Sequence, residues 1–86
     1  MNILKKLYAT VDINKENSKG KIKYYEVQGE SYGVEIVREE NSKVLQTKAI
    51  ENITDKQEGI NKVLEMLTNN LVTPETVEYI EEDLIY

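Results

Sequence analysis

The sequence predicts an α+β domain: a four-stranded antiparallel meander sheet followed by two C-terminal helices packed on one face, in the order β-β-β-β-α-α. Three observations predict it. Apolar and polar residues alternate through the first half of the chain, the period of a half-buried strand. Short polar segments break that alternation at hairpin intervals. Beyond Ile53 the apolar residues recur at helical spacing instead. A run of strands followed by helices stacks as a sheet with its helices on one side. The 86 residues are read as one domain, 1–86.

The first strand spans residues 3–13, where Ile3, Leu7, Ala9, Val11 and Ile13 share one parity. Residues 14–20 are polar and end in Gly20, which predicts a hairpin loop. The second strand, 21–28, is rich in β-branched and aromatic residues: Ile22, Tyr24, Tyr25 and Val27. Gly29, Glu30 and Ser31 turn the chain. The third strand, 32–39, puts Tyr32, Val34 and Ile36 on one side. Residues 40–42 form a short turn, and 44–50 a fourth strand.

Thr54 followed three residues later by Gln57 has the form of a capping box. Ile60, Val63, Leu64, Leu67 and Leu71 then follow at helical spacing. Gly59 inside this helix costs about 1 kcal/mol relative to Ala, and a close approach to the sheet is the expected reason for it. Asn69 and Asn70 mark the stop. Thr73 as N-cap and Pro74 in the first turn restart a helix whose apolar side is Val77, Tyr79, Ile80 and Leu84.

Composition excludes several function classes. A chain of this size buries roughly 60–65% of its unfolded surface, so a shallow groove or contact face is a more natural functional site than a deep cavity. Without cysteine there is neither a disulfide framework nor a thiolate metal site. Without histidine the commonest metal ligand and general base are missing. No stretch reads as a signal peptide or membrane span, and the Asn52-Ile53-Thr54 sequon is read as chance. The expected location is cytoplasmic. The net charge of −5 is uneven: residues 1–30 sum to +2, while residues 73–86 carry five acids and no base.

From about Tyr24 onward the chain resembles the domain of unknown function 6514, a family of small bacterial proteins. Tyr32-Gly33-Val34-Glu35-Ile36, the helix over 58–70, Val72-Thr73-Pro74 and Ile80-Glu81-Glu82-Asp83-Leu84 carry the likeness. The resemblance implies two helices after a Tyr-Gly-Val/Ile-Glu-Ile strand. It implies no activity, ligand or catalytic residue.

Two features are candidate contact sites. Glu75, Glu78, Glu81 and Glu82 crowd one side of the last helix, where like charges at this spacing cost about 0.2–0.5 kcal/mol per pair. A basic protein surface would relieve that repulsion; the plainer reading is a solvated face screened by Lys5, Lys6, Lys21 and Lys23. Tyr24 or Tyr25, with Tyr8 and Tyr32, would line the uncovered sheet face or, equally, be half-buried core residues, while Tyr79 is read as half-buried core. Tyrosine combines contact area with a polar tip.

Other chemistry finds less support. Calcium coordination would need an Asp-rich loop that the chain lacks. A helix-turn-helix reading of 55–84 fails because the second helix has no Lys or Arg for phosphate, so no partnership with double-stranded DNA is expected. Lys19, Lys21 and Lys23 with Tyr24 and Tyr25 form a faint basic-aromatic cluster that would suit single-stranded nucleic acid; the plainer reading is a lysine-flanked strand protected from edge pairing. Ser18, Ser31 and Ser42 have no relay, and the glycines form no phosphate loop.

The expectation is a small intracellular interaction or regulatory module, not an enzyme, with no cofactor. It would act through the open sheet face or the acidic helix, with a homodimer formed through that face or through an edge strand. The alternative is a small-molecule-binding or enzymatic domain with its pocket between sheet and helices.

Overall fold

The computed structural model describes the backbone of residues 4–84 and the side chains of residues 4–80. Strands β1 (Leu4–Lys15), β2 (Ser18–Gln28), β3 (Tyr32–Glu40) and β4 (Lys43–Thr54) form one sheet in the order β1-β2-β3-β4. Every neighbouring pair is antiparallel. Helices α1 (Gln57–Asn69) and α2 (Pro74–Leu84) follow. The expected β-β-β-β-α-α order is therefore the observed one; Ile3 lies outside the described residues.

The first hairpin is tighter than the polar run 14–20 suggests. Asn14 and Lys15 pair with Lys19 and Ser18, so the connection is only Glu16 and Asn17. Gly20 sits within β2, opposite Ile13 and Glu40. A Cβ there would stand 2.7 Å from the Ile13 carbonyl oxygen, so the glycine marks close strand approach and not a turn. The β3–β4 turn places Asn41 at φ 52° and Ser42 at φ 68°. Two consecutive positive φ values are those of a primed hairpin turn. Asn41 also ties back to β2: its N–H donates to the Lys19 carbonyl oxygen at 2.8 Å, and its Oδ1 accepts from the Lys19 N–H at 3.1 Å.

Pairing between β2 and β3 runs unbroken from Gly20 to Gln28. Both edge strands are irregular. The β1–β2 register shifts at Tyr8, and the β3–β4 register shifts at Leu45 and again before Thr54. Asn52 at φ 56° belongs to this last irregularity.

Antiparallel register puts Ile22 and Tyr24 of β2 beside Ile36 and Val34 of β3 and Ile50 of β4, on one face. These residues are buried against Ile60, Val63, Leu64 and Leu67 of α1 and Val77 of α2. Val11 and Ile13 of β1 close one side of the cluster, half-buried. The helices therefore cover one face of the sheet and leave the other open.

Thr54 does not cap α1. It is the last residue of β4, and Lys56 is the residue flanking the helix, without a side-chain cap. Thr54 Oγ1 accepts instead from the Lys56 N–H at 3.2 Å, bending the chain off the sheet edge. Thr54 also explains Gly59: a Cβ on that glycine would lie 2.8 Å from Thr54 Oγ1 and 3.0 Å from its Cγ2.

At its other end α1 stops in a Schellman arrangement. The Val72 N–H reaches the Leu67 carbonyl oxygen at 3.0 Å, and the Leu71 N–H that of Thr68 at 3.3 Å. Leu71 occupies the left-handed position at φ 48°, where Gly or Asn is usual. Thr73 caps α2 as expected. Its Oγ1 accepts from the Thr76 N–H at 3.3 Å, and Thr76 Oγ1 accepts from the Thr73 N–H at 3.1 Å. Tyr79, read from the sequence as half-buried, is 85% exposed. It sits two residues beyond Val77, roughly 200° around the helix from the buried side.

Candidate functional site

The tyrosines expected together on the open face do not share it. Tyr24 has the parity of Ile22 and lies on the helix-covered face with 0% exposure. Its hydroxyl donates to the Val72 carbonyl oxygen at 2.8 Å. Burial pushes that phenol's pKa up to about 12. Tyr32 is in register with Gln28 and Thr54 on the same covered side, half-buried against the core. Only Tyr25 faces outward, next in the chain to Tyr24 and so on the opposite side of the pleat. Parity carried this signal: Lys21 and Lys23 point the way Tyr25 does, and Ile22 the way Tyr24 does.

The open face is laced with charge. Lys21 and Lys23 stand on β2, Glu35 and Glu39 on β3. Lys23 pairs with Glu39 at 2.8 Å and Lys5 with Glu35 at 3.1 Å. The hydrogen bond and charge of Glu39 raise the Lys23 ammonium above its ordinary pKa. Lys5 Nζ also lies 4.7 Å from the centroid of the Tyr25 ring, a cation–π distance. Beneath these long side chains Val27 and Val37 are nearly covered, as apolar residues are when lysine stems lie over them. Lys21 joins none of the ion pairs among the described residues, although Glu39 and Asp12 are its register partners.

Two carboxylates of α2 turn inward to the protein's own sheet. Glu75 pairs with Arg38 at 3.2 Å and Glu78 with Lys48 at 3.5 Å. The lysines expected to screen the helix are not the ones that do so; Lys5 and Lys23 are engaged on the opposite face. The side chains of Glu81 and Glu82 lie outside the described residues.

A further constellation sits between β1, β2 and α1. Glu26 shares the inward parity of Ile22 and Tyr24, and it is buried at 6% exposure. Gln57 Nε2 donates to its Oε1 at 2.8 Å, and Gln28 Nε2 donates to its Oε2. Gln57 Nε2 also donates to Asn61 Oδ1 at 3.0 Å. These side chains, with Lys6 and Tyr8, line a groove of about 370 Å³. Tyr8 reaches its rim because the β1 irregularity leaves that residue without a pairing partner on β2. Sequence reasoning missed this site. The available signal was a carboxylate on the core-facing parity of a strand. No group of three or more His, Cys, Asp or Glu side chains placed to hold a metal occurs among the described residues.

Comparison with known proteins yields no match among curated proteins and none among solved structures. One family model matches, over residues 4–86, and so extends through β1, which the motifs from Tyr24 onward do not include. With the strand Tyr32-Gly33-Val34-Glu35-Ile36 and both helices inside that match, the chain belongs to the family of unknown function DUF6514.

Proposed function

We propose that this protein is a small interaction module that pairs with a second copy of itself through the open sheet face. The observation that carries the reading is the arrangement of charge on that face. Lys21, Lys23, Tyr25 and Val27 run along β2 beside Glu39, Val37 and Glu35 of β3. A twofold axis along the strands, between β2 and β3, lays each β2 over β3 of the other copy. Lys21 and Glu39 are register partners, so the axis brings Lys21 over Glu39 of the second copy, twice. The same operation sets Tyr25 over Glu35.

The size of the face sets the strength. The central strands pair over nine residues; at about 3.3 Å per residue and about 4.8 Å per strand, the sheet face is roughly 600 Å². A standard interface takes about 800 Å² from each partner. Association through this face is therefore weak, reversible and dependent on concentration, which suits a regulatory module. The acidic helix is a poorer contact surface for a basic protein: Glu75 and Glu78 already have basic partners, whereas Lys21 on the open face joins none of the ion pairs among the described residues.

The reading includes no catalytic role and a cytoplasmic location, for which the absence of cysteine is the support. No described helix is long and apolar enough to cross a membrane.

Sedimentation equilibrium from low micromolar to millimolar protein, at low and high salt, tests the proposal. A monomer–dimer equilibrium that weakens with salt and is lost in Val37→Lys is the expected result. A monomer throughout sinks the reading.

A further inference from the structure

We infer that the groove around Glu26 is a binding site for a small organic cation bearing N–H donors, of the ammonium or guanidinium type. A carboxylate buried to this degree is costly to keep charged unless its lone pairs are filled. Glu26 joins none of the ion pairs among the described residues. Its two oxygens offer about four acceptor positions, and one amide donor reaches each oxygen. The remaining acceptor positions are available to a ligand.

The amides are turned so that they add to this acceptor character. Both hydrogens of Gln57 Nε2 are spent, one on Glu26 and one on Asn61. Gln28 Nε2 also points at Glu26. The Oε1 atoms of Gln28 and Gln57 therefore remain as acceptors in residues that line the groove. A carboxylate with flanking amide oxygens matches a cation that donates several hydrogen bonds. The groove's volume lies within the range of about 300–1,000 Å³ typical of small-molecule sites.

Lys6 is the local competitor. It is the register partner of Glu26, stands at the rim and is exposed to solvent. Its positive charge opposes an arriving cation, so its removal strengthens binding.

The test follows the side-chain amide resonances of Gln28, Gln57 and Asn61 by NMR. The probes are methylguanidinium, methylammonium and, as a cation without N–H donors, tetramethylammonium. Saturable shifts with either of the first two and none with the third are expected, and their relative affinities decide between the two cation types. Glu26→Gln should abolish saturation. Gln57→Leu, at an exposed helix position, should weaken binding about tenfold and keep the fold, and Lys6→Ala should tighten it several-fold. Shifts that stay linear, that appear equally with tetramethylammonium, or that persist in Glu26→Gln overturn the inference. So does a Lys6→Ala variant that binds no tighter. The groove opens on the helix-covered side, so none of these outcomes bears on pairing through the open face.

Discussion

The Tyr24 hydroxyl and the Val72 carbonyl oxygen meet at 2.8 Å, joining the middle of β2 to the connection between the helices, 48 residues further along the chain. Val72 is also the residue whose N–H closes the Schellman turn onto Leu67. One residue thus has both backbone groups satisfied, one by a helix end and one by the sheet. The position of α2 over β3 and β4 depends on this junction.

Tyr24→Phe leaves the Val72 carbonyl buried without its donor, and should cost about 1–2 kcal/mol of stability. The pH dependence has a definite sign. The folded phenol titrates near 12 and the unfolded phenol near 10. The folded state holds its proton more tightly, so this contribution is complete below about pH 10 and declines as pH rises toward 12. Urea unfolding of both proteins from pH 8 to 12 checks this: the stability difference between them should shrink across the upper part of that range.

Leu71→Gly should stabilise the protein by about 0.5–1 kcal/mol. A non-glycine residue at φ 48° carries a steric cost of roughly 1–2 kcal/mol. Part of the gain is offset by the greater freedom of glycine in the unfolded chain and by the loss of a half-exposed side chain. A higher thermal midpoint supports this account; a fall would show that the leucine side chain holds the turn.

The glycines should separate by what they touch. A Cβ at Gly33 meets the Ile50 carbonyl oxygen, which is backbone of the paired strand. Gly33→Ala should therefore cost about 3 kcal/mol. Gly59→Ala gains about 1 kcal/mol of helix propensity but presses on the Thr54 side chain. It should be destabilising alone and should recover in the Thr54→Ala background, with a coupling of about 1 kcal/mol in a double-mutant cycle.

Glu75→Gln and Glu78→Gln should each change stability by less than about 0.5 kcal/mol, because both carboxylates and their partners are substantially exposed. Thermal melts at low and at high salt read this out. A larger loss would mean that these pairs anchor α2.

Much of the architecture was legible because period two and period 3.6 are hard to confuse over runs this long. Val34 and Ile36 of β3 and the row Ile60, Val63, Leu64, Leu67 of α1 lie where their spacing places them. The boundaries were less legible. Polar residues 14–20 read as loop because strand propensity is low there, yet pairing carried both strands nearly to the tip. Thr54 has a cap's chemistry but is held in β4 by pairing with Tyr32. Of the residues expected at contact sites, only Tyr25 stands on the open face. Tyr24 and Tyr32 went inward because parity governs them and their polar tips do not. Glu26 escaped notice because its burial depends on Gln57, thirty-one residues away, turning back over the sheet.

The sequential order of the strands has a consequence for synthesis. Each strand pairs with the one made just before it, across a short turn, so the sheet can assemble completely before the residues of α1 have been made. Until the helices arrive, Ile22, Tyr24, Val34 and Ile36 are wet on one side, and the growing chain is at its most vulnerable to association with other nascent chains. Helix α2, made after the sheet and α1, brings Val77 into this core and ends that interval.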